Sequence, residues 1–155
     1  MLSNIEFRLS NPMAIMPTRA HDTDAGLDLY ADTDYVLSKD CRTMINTGVQ
    51  VRIPKGYVGL LLPRSSLSKK YIILTNSCGV IDSDYRGDIM ASLMYVGDPN
   101  PDRPGAGRQV IAKHEKIVQL LIVPIELPEA IQYTGSIEDW NNTARGVGGF
   151  GSTGR

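Results

Sequence analysis

The sequence has few cysteines and no long hydrophobic run. Its 155 residues include only two cysteines, Cys41 and Cys78, which form neither a CxxC pair nor the disulfide framework of a small secreted domain. No apolar run approaches the roughly 18 residues of a membrane-spanning helix, and residues 1–10 lack the apolar segment of a secretory signal. We therefore expect a reduced, cytoplasmic protein without a membrane partner.

An excess of charge of either sign is also missing. Sixteen Lys and Arg residues stand against seventeen Asp and Glu residues, and the formal net charge is −1. The chain thus has no broad basic field to attract polyanions, so we expect no nucleic-acid partner and only local phosphate recognition. The two histidines, His21 and His114, have no further ligands at the spacing of a zinc site.

Long amphipathic helices are the third absence. Nine prolines and fifteen glycines divide the chain, and the runs between them alternate polar and apolar residues with the period of two that is typical of β-strands. In one run, VGLLL, the alternation predicts a face made of Val58, Leu60 and Leu62. The runs are IEFRL (5–9), VQVRI (49–53), VGLLL (58–62), IMASLMY (89–95) and the nearly all-apolar IVQLLIVPI (117–125), which has the composition of a strand buried on both faces.

These patterns predict an all-β fold, as a sandwich, a barrel or a jelly roll. Residues 65–72 have room for one short helical piece, and residues 97–108 form a long surface loop. We divide the chain into a body over residues 1–140 and a flexible glycine-rich tail over residues 141–155.

Polar residues and glycines interrupt the strand pattern in five segments. In TDAGLDLYA (23–31), alternation directs Asp28 away from the neighbouring leucines, which is typical of a solvent-facing strand carboxylate. In PRSSLS (63–68), Arg64, Ser65 and Ser66 supply a guanidinium group, hydroxyls and backbone N–H groups where a strand ends. This set suits a phosphate cradle, but equally a helix cap beside an ion pair.

The other three segments are equally open when each is taken alone. In NSCGVIDSDYRGDI (76–89), Asp82 is either a general base for water or part of an Asx turn, and Asp84 is a candidate partner for Arg86. In EKIVQLL (115–121), Gln119 is either a core strut or a pocket group. The tail ARGVGGFGSTGR (144–155) lacks the spacing of a P-loop and is typical of a disordered end.

Taken together and in this order, the five segments resemble the five motifs of the trimeric dUTP diphosphatases (dUTPases). The resemblance covers the chain from about residue 23 to its end. It implies a distorted all-β jelly roll of the dUTPase type, a homotrimer with three active sites at subunit interfaces, and C-terminal arms exchanged between subunits. It also implies Mg²⁺-dependent hydrolysis of dUTP to dUMP and pyrophosphate, with the metal held mainly by the triphosphate and waters.

The resemblance assigns a role to each candidate site residue. Asp82 activates the attacking water, Asp28 organises the site near the metal and its waters, and Gln119 lies near the phosphates. Tyr85 packs on the deoxyribose and leaves no room for a 2′-hydroxyl, while Phe150 stacks on uracil as part of the lid. The other phosphate-binding residues are Arg64, Ser65, Ser66, Arg145, Ser152 and Thr153, and the other uracil and deoxyribose contacts are Asn76 within a β-hairpin, Gly79, Val80, Ile81 and Met90.

Four features depart from the family pattern. His114 stands where a glycine is usual, Lys116 replaces an arginine, Val147 replaces a small polar or acidic residue, and the 97–108 loop is long. Two other functions are weighed against dUTP hydrolysis. A dCTP deaminase of the same fold needs a glutamate after the third motif, which this chain lacks, and a catalytically silent regulatory protein would have lost Asp82 or the tail.

Overall fold

Short β-strands dominate the regular secondary structure of the computed structural model, which describes residues 4–98, 100, 102 and 106–148. Within these residues there are eleven strands and two helices of four residues each. The all-β prediction is confirmed, as is a short helix within residues 65–72, and no described helix has the length and apolar composition to span a membrane. The elements are β1 Glu6–Leu9, β2 Leu27–Tyr30, β3 Tyr35–Ser38, β4 Arg42–Asn46, β5 Val49–Arg52, β6 Tyr57–Pro63, α1 Ser65–Ser68, β7 Ile72–Leu74, β8 Gly79–Ile81, β9 Met90–Tyr95, β10 Arg108–Ile111, β11 Lys116–Pro124 and α2 Ile137–Trp140.

The strands form antiparallel sheets whose neighbours are distant in the sequence. The largest sheet has the order β2-β11-β6-β8, a second has the order β4-β9-β7, and β1-β5 and β3-β10 form two-stranded ribbons. The nine-residue strand β11 lies between β2 and β6, so that Gln119 is opposite Asp28 on one side and Leu62 on the other. This arrangement brings the first, second and fourth polar segments to one region of the sheet.

Alternation along the strands accounts for much of the hydrophobic core. The predicted inward face of 89–95 is confirmed, because Ile89, Ala91, Leu93 and Tyr95 are all buried. In β6 the prediction is wrong in detail: Leu61 is buried, and the flanking leucines are only half-buried. The side chain of Leu61 belongs to the hydrophobic core, whereas Leu62 lines an open cleft, so the core lies on the face of β6 that the alternation assigned to the outside.

The strand β11 is buried on both faces only in its first part. Ile117, Val118 and Leu120 are fully buried, whereas residues 121–123 are half-buried. Just before this strand, His114 has a φ of +64°, a left-handed conformation that glycine adopts without steric cost. The departure from the family glycine at this turn therefore introduces a side chain at a position that favours glycine.

Candidate active site

Three of the five polar segments meet in one cleft, which we call the Asp28 cleft. It has a volume of about 340 Å³, and its lining includes Asp28 from β2, Arg64 and Ser65 after β6, and Gln119 from β11. The antiparallel pairing of β11 with both β2 and β6 produces this convergence. Ser66 is exposed but is not among the residues that line the cleft.

Asp28 is held between two cations. Only 7% of the residue is exposed, and Arg64 Nε lies 2.9 Å from its Oδ1 while Lys116 Nζ lies 2.9 Å from its Oδ2. A buried carboxylate is tolerated only when it is paired in this way. The prediction of a solvent-facing strand carboxylate is therefore wrong, because the side chains of Arg64 and Lys116 pair with the carboxylate and shield it from solvent.

Lys116, which stands where the resemblance implies an arginine, is the second cation on Asp28. Its hydrogen bond to Asp28 raises the pKa of the Lys116 ammonium group, which is therefore held in its charged form. The same ammonium lies 5.8 Å from the centre of the Tyr30 ring, within the range of a cation–π contact. Lys116 thus contributes a positive charge to Asp28 from the start of β11.

The second segment, residues 63–68, contributes an ion pair to the Asp28 cleft. Arg64 is the N-cap residue of α1 and makes no side-chain capping bond, so the alternative in which Ser65 or Ser66 caps this helix is wrong. The ion-pair alternative is confirmed by the contact of Arg64 with Asp28. The Ser68 hydroxyl donates to the Ser65 carbonyl at 2.6 Å, which braces the helix and leaves the Ser65 side chain exposed beside the cleft.

Gln119 links the cleft to the end of β6. Its Nε2 donates to the carbonyl oxygen of Pro63 at 3.2 Å, and its Oε1 points at Gly26, where an added Cβ atom would lie 2.5 Å away. Gln119 is therefore both a pocket group and a brace. Gly26 was missed by the sequence reasoning, although its place in the segment DAGLDL was a usable signal.

The third segment forms another cleft, which we call the Tyr85 cleft. It has a volume of about 280 Å³ and is lined by five predicted site residues together with their neighbours. Val80, Tyr85 and Met90 expose 62%, 43% and 42% of their surface there, an unusual amount for large apolar residues grouped together. The lining residues are Met44, Val80, Ile81, Asp82, Tyr85, Asp88, Ile89 and Met90.

Asp82 lies at the start of a turn in the wall of the Tyr85 cleft. The residue is exposed, and its backbone carbonyl accepts a hydrogen bond from Tyr85 N at 3.1 Å. The predicted pair between Asp84 and Arg86 does not form in the described structure. Arg86 Nη1 instead donates to the carbonyls of Ser83 and Tyr85 at 2.8 and 2.7 Å, because the turn directs these oxygens to the guanidinium group.

Asn76 lies in the turn that leads into the Tyr85 cleft. The hairpin predicted around it is wrong, since β7 pairs with β9 and β8 pairs with β6. The turn is closed by a hydrogen bond from Cys78 N to the Asn76 carbonyl at 2.5 Å. Gly79 brings the chain back close to β6, where an added Cβ atom would lie 3.1 Å from Leu61 Cβ and 3.6 Å from Asn76 Nδ2.

Asp88 is a further polar residue of this cleft that sequence reasoning missed. Its carboxylate accepts hydrogen bonds from Ser10, Asn46 and Gln50. Partial burial acts to raise the pKa of Asp88, but these three bonds and the charge of Arg8 outweigh it and lower the pKa below its ordinary value. No local pattern signals this role, because all the donors come from remote segments of the chain.

The tail is only partly within the described residues. Arg145 is exposed, and its Nε donates to the carbonyl of Gly148 at 2.8 Å. Phe150, Ser152 and Thr153, which the sequence assigns to the lid, lie outside the described residues. Among the residues that are described, no group of three or more His, Cys, Asp or Glu side chains is arranged to hold a metal ion.

The Asp28 cleft presents ionic and polar groups, and the Tyr85 cleft presents apolar walls beside an exposed carboxylate, which suits a small ligand with an anionic part and an apolar part. The comparisons with known proteins identify the family. The family model for dUTPase matches residues 13–154, so the chain belongs to the dUTPase family. The resemblance inferred from the five segments is thereby confirmed.

Individual relatives agree with this assignment. A deoxyuridine 5′-triphosphate nucleotidohydrolase of Corynebacterium jeikeium is 40% identical over 140 residues, covering 90% of this chain and 85% of the relative. The enzyme of the same name from Mycobacterium sp. strain JLS is 43% identical, with 90% and 87% coverage. The structure of Staphylococcus bacteriophage 80alpha dUTPase with dUPNHPP superposes with a TM-score of 0.88 at 32% identity, covering 99% of this chain and all of that one.

Proposed function

We propose that the protein hydrolyses dUTP to dUMP and pyrophosphate. Its family and the shared name of its relatives support this activity, and neither favours a dCTP deaminase or a silent regulatory protein. The observation that carries the proposal is the Tyr85 cleft, where the exposed carboxylate of Asp82 lies among apolar side chains. Apolar walls suit a base and a sugar, and an attacking water needs a nearby group to accept its proton.

In this proposal the Tyr85 cleft selects the nucleoside. Tyr85 packs on the deoxyribose and leaves no room for a 2′-hydroxyl, while Asn76 and the backbone of Gly79, Val80 and Ile81 bind the uracil edge. Met90 supplies a further apolar contact. A base with the wrong hydrogen-bonding edge leaves a buried donor or acceptor unpaired, which costs roughly 1–3 kcal/mol per group.

The Asp28 cleft binds the phosphates. Arg64, Ser65 and Ser66 contact them from the end of β6, and Gln119 contacts them or their waters from β11. If Arg64 turns from Asp28 to a phosphate oxygen, Lys116 still holds the carboxylate at 2.9 Å. The buried Asp28 therefore does not lose all of its counter-charge when substrate binds, which limits the free-energy cost of recruiting Arg64.

Catalysis is a water attack on the α-phosphate. Asp82 orients the water and accepts its proton, so that the oxygen attacks the phosphorus as the bond to the pyrophosphate oxygen breaks. The charge that develops on the phosphate oxygens is stabilised by guanidinium groups fixed before the reaction. No covalent intermediate with the protein is needed.

Magnesium fits this site only as a partner of the substrate. Both carboxylate oxygens of Asp28 are engaged by cations, and the described residues offer no cluster of ligands. Mg²⁺ commonly keeps several waters and binds phosphate oxygens. When bound, it would neutralise triphosphate charge, and Asp28 would contact it only through water. A phage phi11 dUTPase relative, with a TM-score of 0.76 and 32% identity, coordinates a structural Mg(II) ion.

We further propose a homotrimer with exchanged C-terminal arms. The lining residues described for the Asp28 cleft and for the Tyr85 cleft do not overlap, so phosphate and nucleoside residues from different subunits can combine at an interface. The stretch 126–147 is exposed throughout, which an arm docked on a neighbouring subunit explains. Its exposed apolar side chains are Leu127, Ile131, Tyr133, Ile137, Trp140 and Val147.

The proposal divides the chain into a body and a C-terminal lid. Residues 1–140 form the body, and residues 141–155 close over the bound nucleotide. Phe150 then stacks on uracil, while Arg145, Ser152 and Thr153 bind the β and γ phosphates. Closure of such a segment excludes bulk water from the reacting phosphorus.

The activity would keep uracil out of DNA and supply dUMP for dTMP synthesis. We place it in the cytoplasm, since Cys41 and Cys78 are both free thiols, as in a reducing compartment. The near-neutral net charge gives no support for a nucleic-acid partner.

A substrate panel tests the proposed function. Purified protein with Mg²⁺ should release pyrophosphate from dUTP and very little from UTP, dCTP or dTTP. Ammonia release from dCTP would instead indicate the deaminase. Equal turnover of dUTP and UTP, or no turnover of either, would reject the proposal.

A further inference from the structure

We propose that Asp88 is a positioning residue that determines the preference for deoxyribose over ribose, by fixing the backbone on which Tyr85 rests. The inference depends on the proposed function, because it assigns Tyr85 to the sugar. It concerns a residue that need not contact the substrate itself.

The Asp88 side chain connects the Tyr85 cleft to three separate segments of the fold. Its Oδ2 accepts from Ser10 Oγ at 2.9 Å and from Asn46 Nδ2 at 3.1 Å. Its Oδ1 accepts from Gln50 Nε2 at 2.9 Å. These donors follow β1, end β4 and belong to β5, so one carboxylate ties the turn after β8 to the body at three points.

Asp88 also contacts Tyr85 through its backbone. The Tyr85 hydroxyl donates to the Asp88 carbonyl at 3.0 Å, and the tyrosine ring lies across Gly87, so close that the ring would clash with any side chain there. The turn is closed at its other end by the bond from Tyr85 N to the Asp82 carbonyl. The ring therefore rests on backbone whose position depends on the Asp88 carboxylate.

Rejection of a 2′-hydroxyl depends on the ring staying in place. A steric barrier discriminates between substrates only if the group that forms it cannot move aside, and packing and hydrogen bonds from supporting residues provide that restraint. If the Asp88 contacts are lost, the turn gains freedom and the tyrosine ring can yield to the hydroxyl. The expected defect is a loss of selectivity between dUTP and UTP, in addition to any general loss of rate.

The geometry permits a sharp test by exchanging two side chains. In Asp88→Asn the amide oxygen can face Ser10 and Asn46, but its NH₂ group then faces Gln50 Nε2, which is also a donor. Gln50 cannot simply reverse its amide, since its Oε1 accepts from Arg8 Nη1 at 2.7 Å. Adding Gln50→Glu supplies an acceptor for both the new amide and Arg8, so the double variant restores a matched set of hydrogen bonds.

The measurement is kcat/KM for dUTP and for UTP in wild type, Asp88→Asn, Gln50→Glu and the double variant. We expect the dUTP-to-UTP ratio to fall by about tenfold or more in each single variant, the size expected from losing a hydrogen bond to a charged group. In the double variant it should recover to within a few-fold of wild type. Asp40→Asn, the same change at an exposed turn, should leave the ratio unchanged.

Ser10→Ala provides a milder variant in case Asp88→Asn fails to fold, because it removes one donor and should lower the ratio by a smaller factor. Unchanged selectivity in folded Asp88→Asn, or in Ser10→Ala if Asp88→Asn does not fold, would overturn the inference while leaving the proposed function intact. An equal fall of kcat/KM for dUTP and for UTP would also overturn the inference, since it would indicate a purely structural role for Asp88. Failure of the wild type to prefer dUTP over UTP would overturn both.

Discussion

Arg64 Nε lies 2.9 Å from Asp28 Oδ1, so the guanidinium group that we assign to phosphate binding is already held in position by a buried carboxylate. The contact joins the second polar segment of the sequence to the first. This ion pair sets the position of the Arg64 side chain before substrate binds. Lys116 provides the Asp28 carboxylate with a second partner.

Asp28→Asn should lower both stability and activity. The change leaves Arg64 and Lys116 without their shared anion, and we expect the free energy of unfolding to fall by about 1–3 kcal/mol. Urea unfolding measures the loss, and kcat/KM for dUTP should fall with it. Glu6→Gln is the matched control, because Glu6 pairs with Arg52 at 2.6 Å while both side chains are about two-thirds exposed, and such surface pairs contribute about 0–1 kcal/mol. Equal destabilisation by the two changes would contradict this account of Asp28.

Gly26→Ala should impair the reaction through Gln119. The new Cβ atom would lie 2.5 Å from Gln119 Oε1 and 3.0 Å from its Cβ, so the glutamine must move from its place in the Asp28 cleft. We expect kcat for dUTP to fall by about tenfold or more, as misplaced site groups commonly cause. Gly107→Ala is the control, since no atom of the described residues, apart from the chain neighbours of Gly107, lies within 4 Å of an added Cβ there. Normal kcat in Gly26→Ala would show that the close approach is not needed.

The Asp88 cluster should contribute to stability in a pH-dependent way. The folded-state pKa of Asp88 lies below its ordinary value of 3.8, so its contribution is fully present well above 3.8 and is lost as the pH falls through the folded-state value. Urea unfolding between pH 3 and pH 7 should therefore show a smaller acid-induced loss in Asp88→Asn than in wild type. Identical pH profiles for the two proteins would exclude the contribution.

Deletion of residues 145–155 should prevent closure of the lid while leaving assembly of the trimer intact. If the deleted residues form only the lid, the truncated protein should remain a trimer by sedimentation and bind a non-hydrolysable dUTP analogue weakly. Its kcat should fall by several orders of magnitude, because water is no longer excluded and the arginine and hydroxyls of the tail are gone. Near-normal turnover after the deletion would remove the lid from the mechanism.

The buried face of a strand could be predicted from the sequence where the alternation of side chains alone determines it. Ile89, Ala91, Leu93 and Tyr95 lie on one buried face because side chains alternate along a strand. The same rule fails for Asp28, since alternation states which face a residue takes and not what covers that face. The carboxylate is covered by the side chains of Arg64 and Lys116, which come from parts of the chain far away in the sequence.

The site could be predicted residue by residue only where a motif carries the information. The single segment that contains Asp82 and Tyr85 predicts several residues that line the Tyr85 cleft. The roles of Asp88 and Gly26 were not predicted because they depend on tertiary contacts. Asp88 accepts hydrogen bonds from donors in three remote segments, and Gly26 is closely approached by the side chain of Gln119. The Asp84–Arg86 pair failed for the opposite reason: nearby backbone carbonyls compete for the guanidinium group.

The most direct test of the central claim is hydrolysis of dUTP in water enriched in ¹⁸O. If Asp82 activates water for attack on the α-phosphate, the label should appear in dUMP and not in pyrophosphate, and Asp82→Asn should bind dUTP yet form almost no product. Label in the pyrophosphate, or normal turnover by Asp82→Asn, would contradict the account.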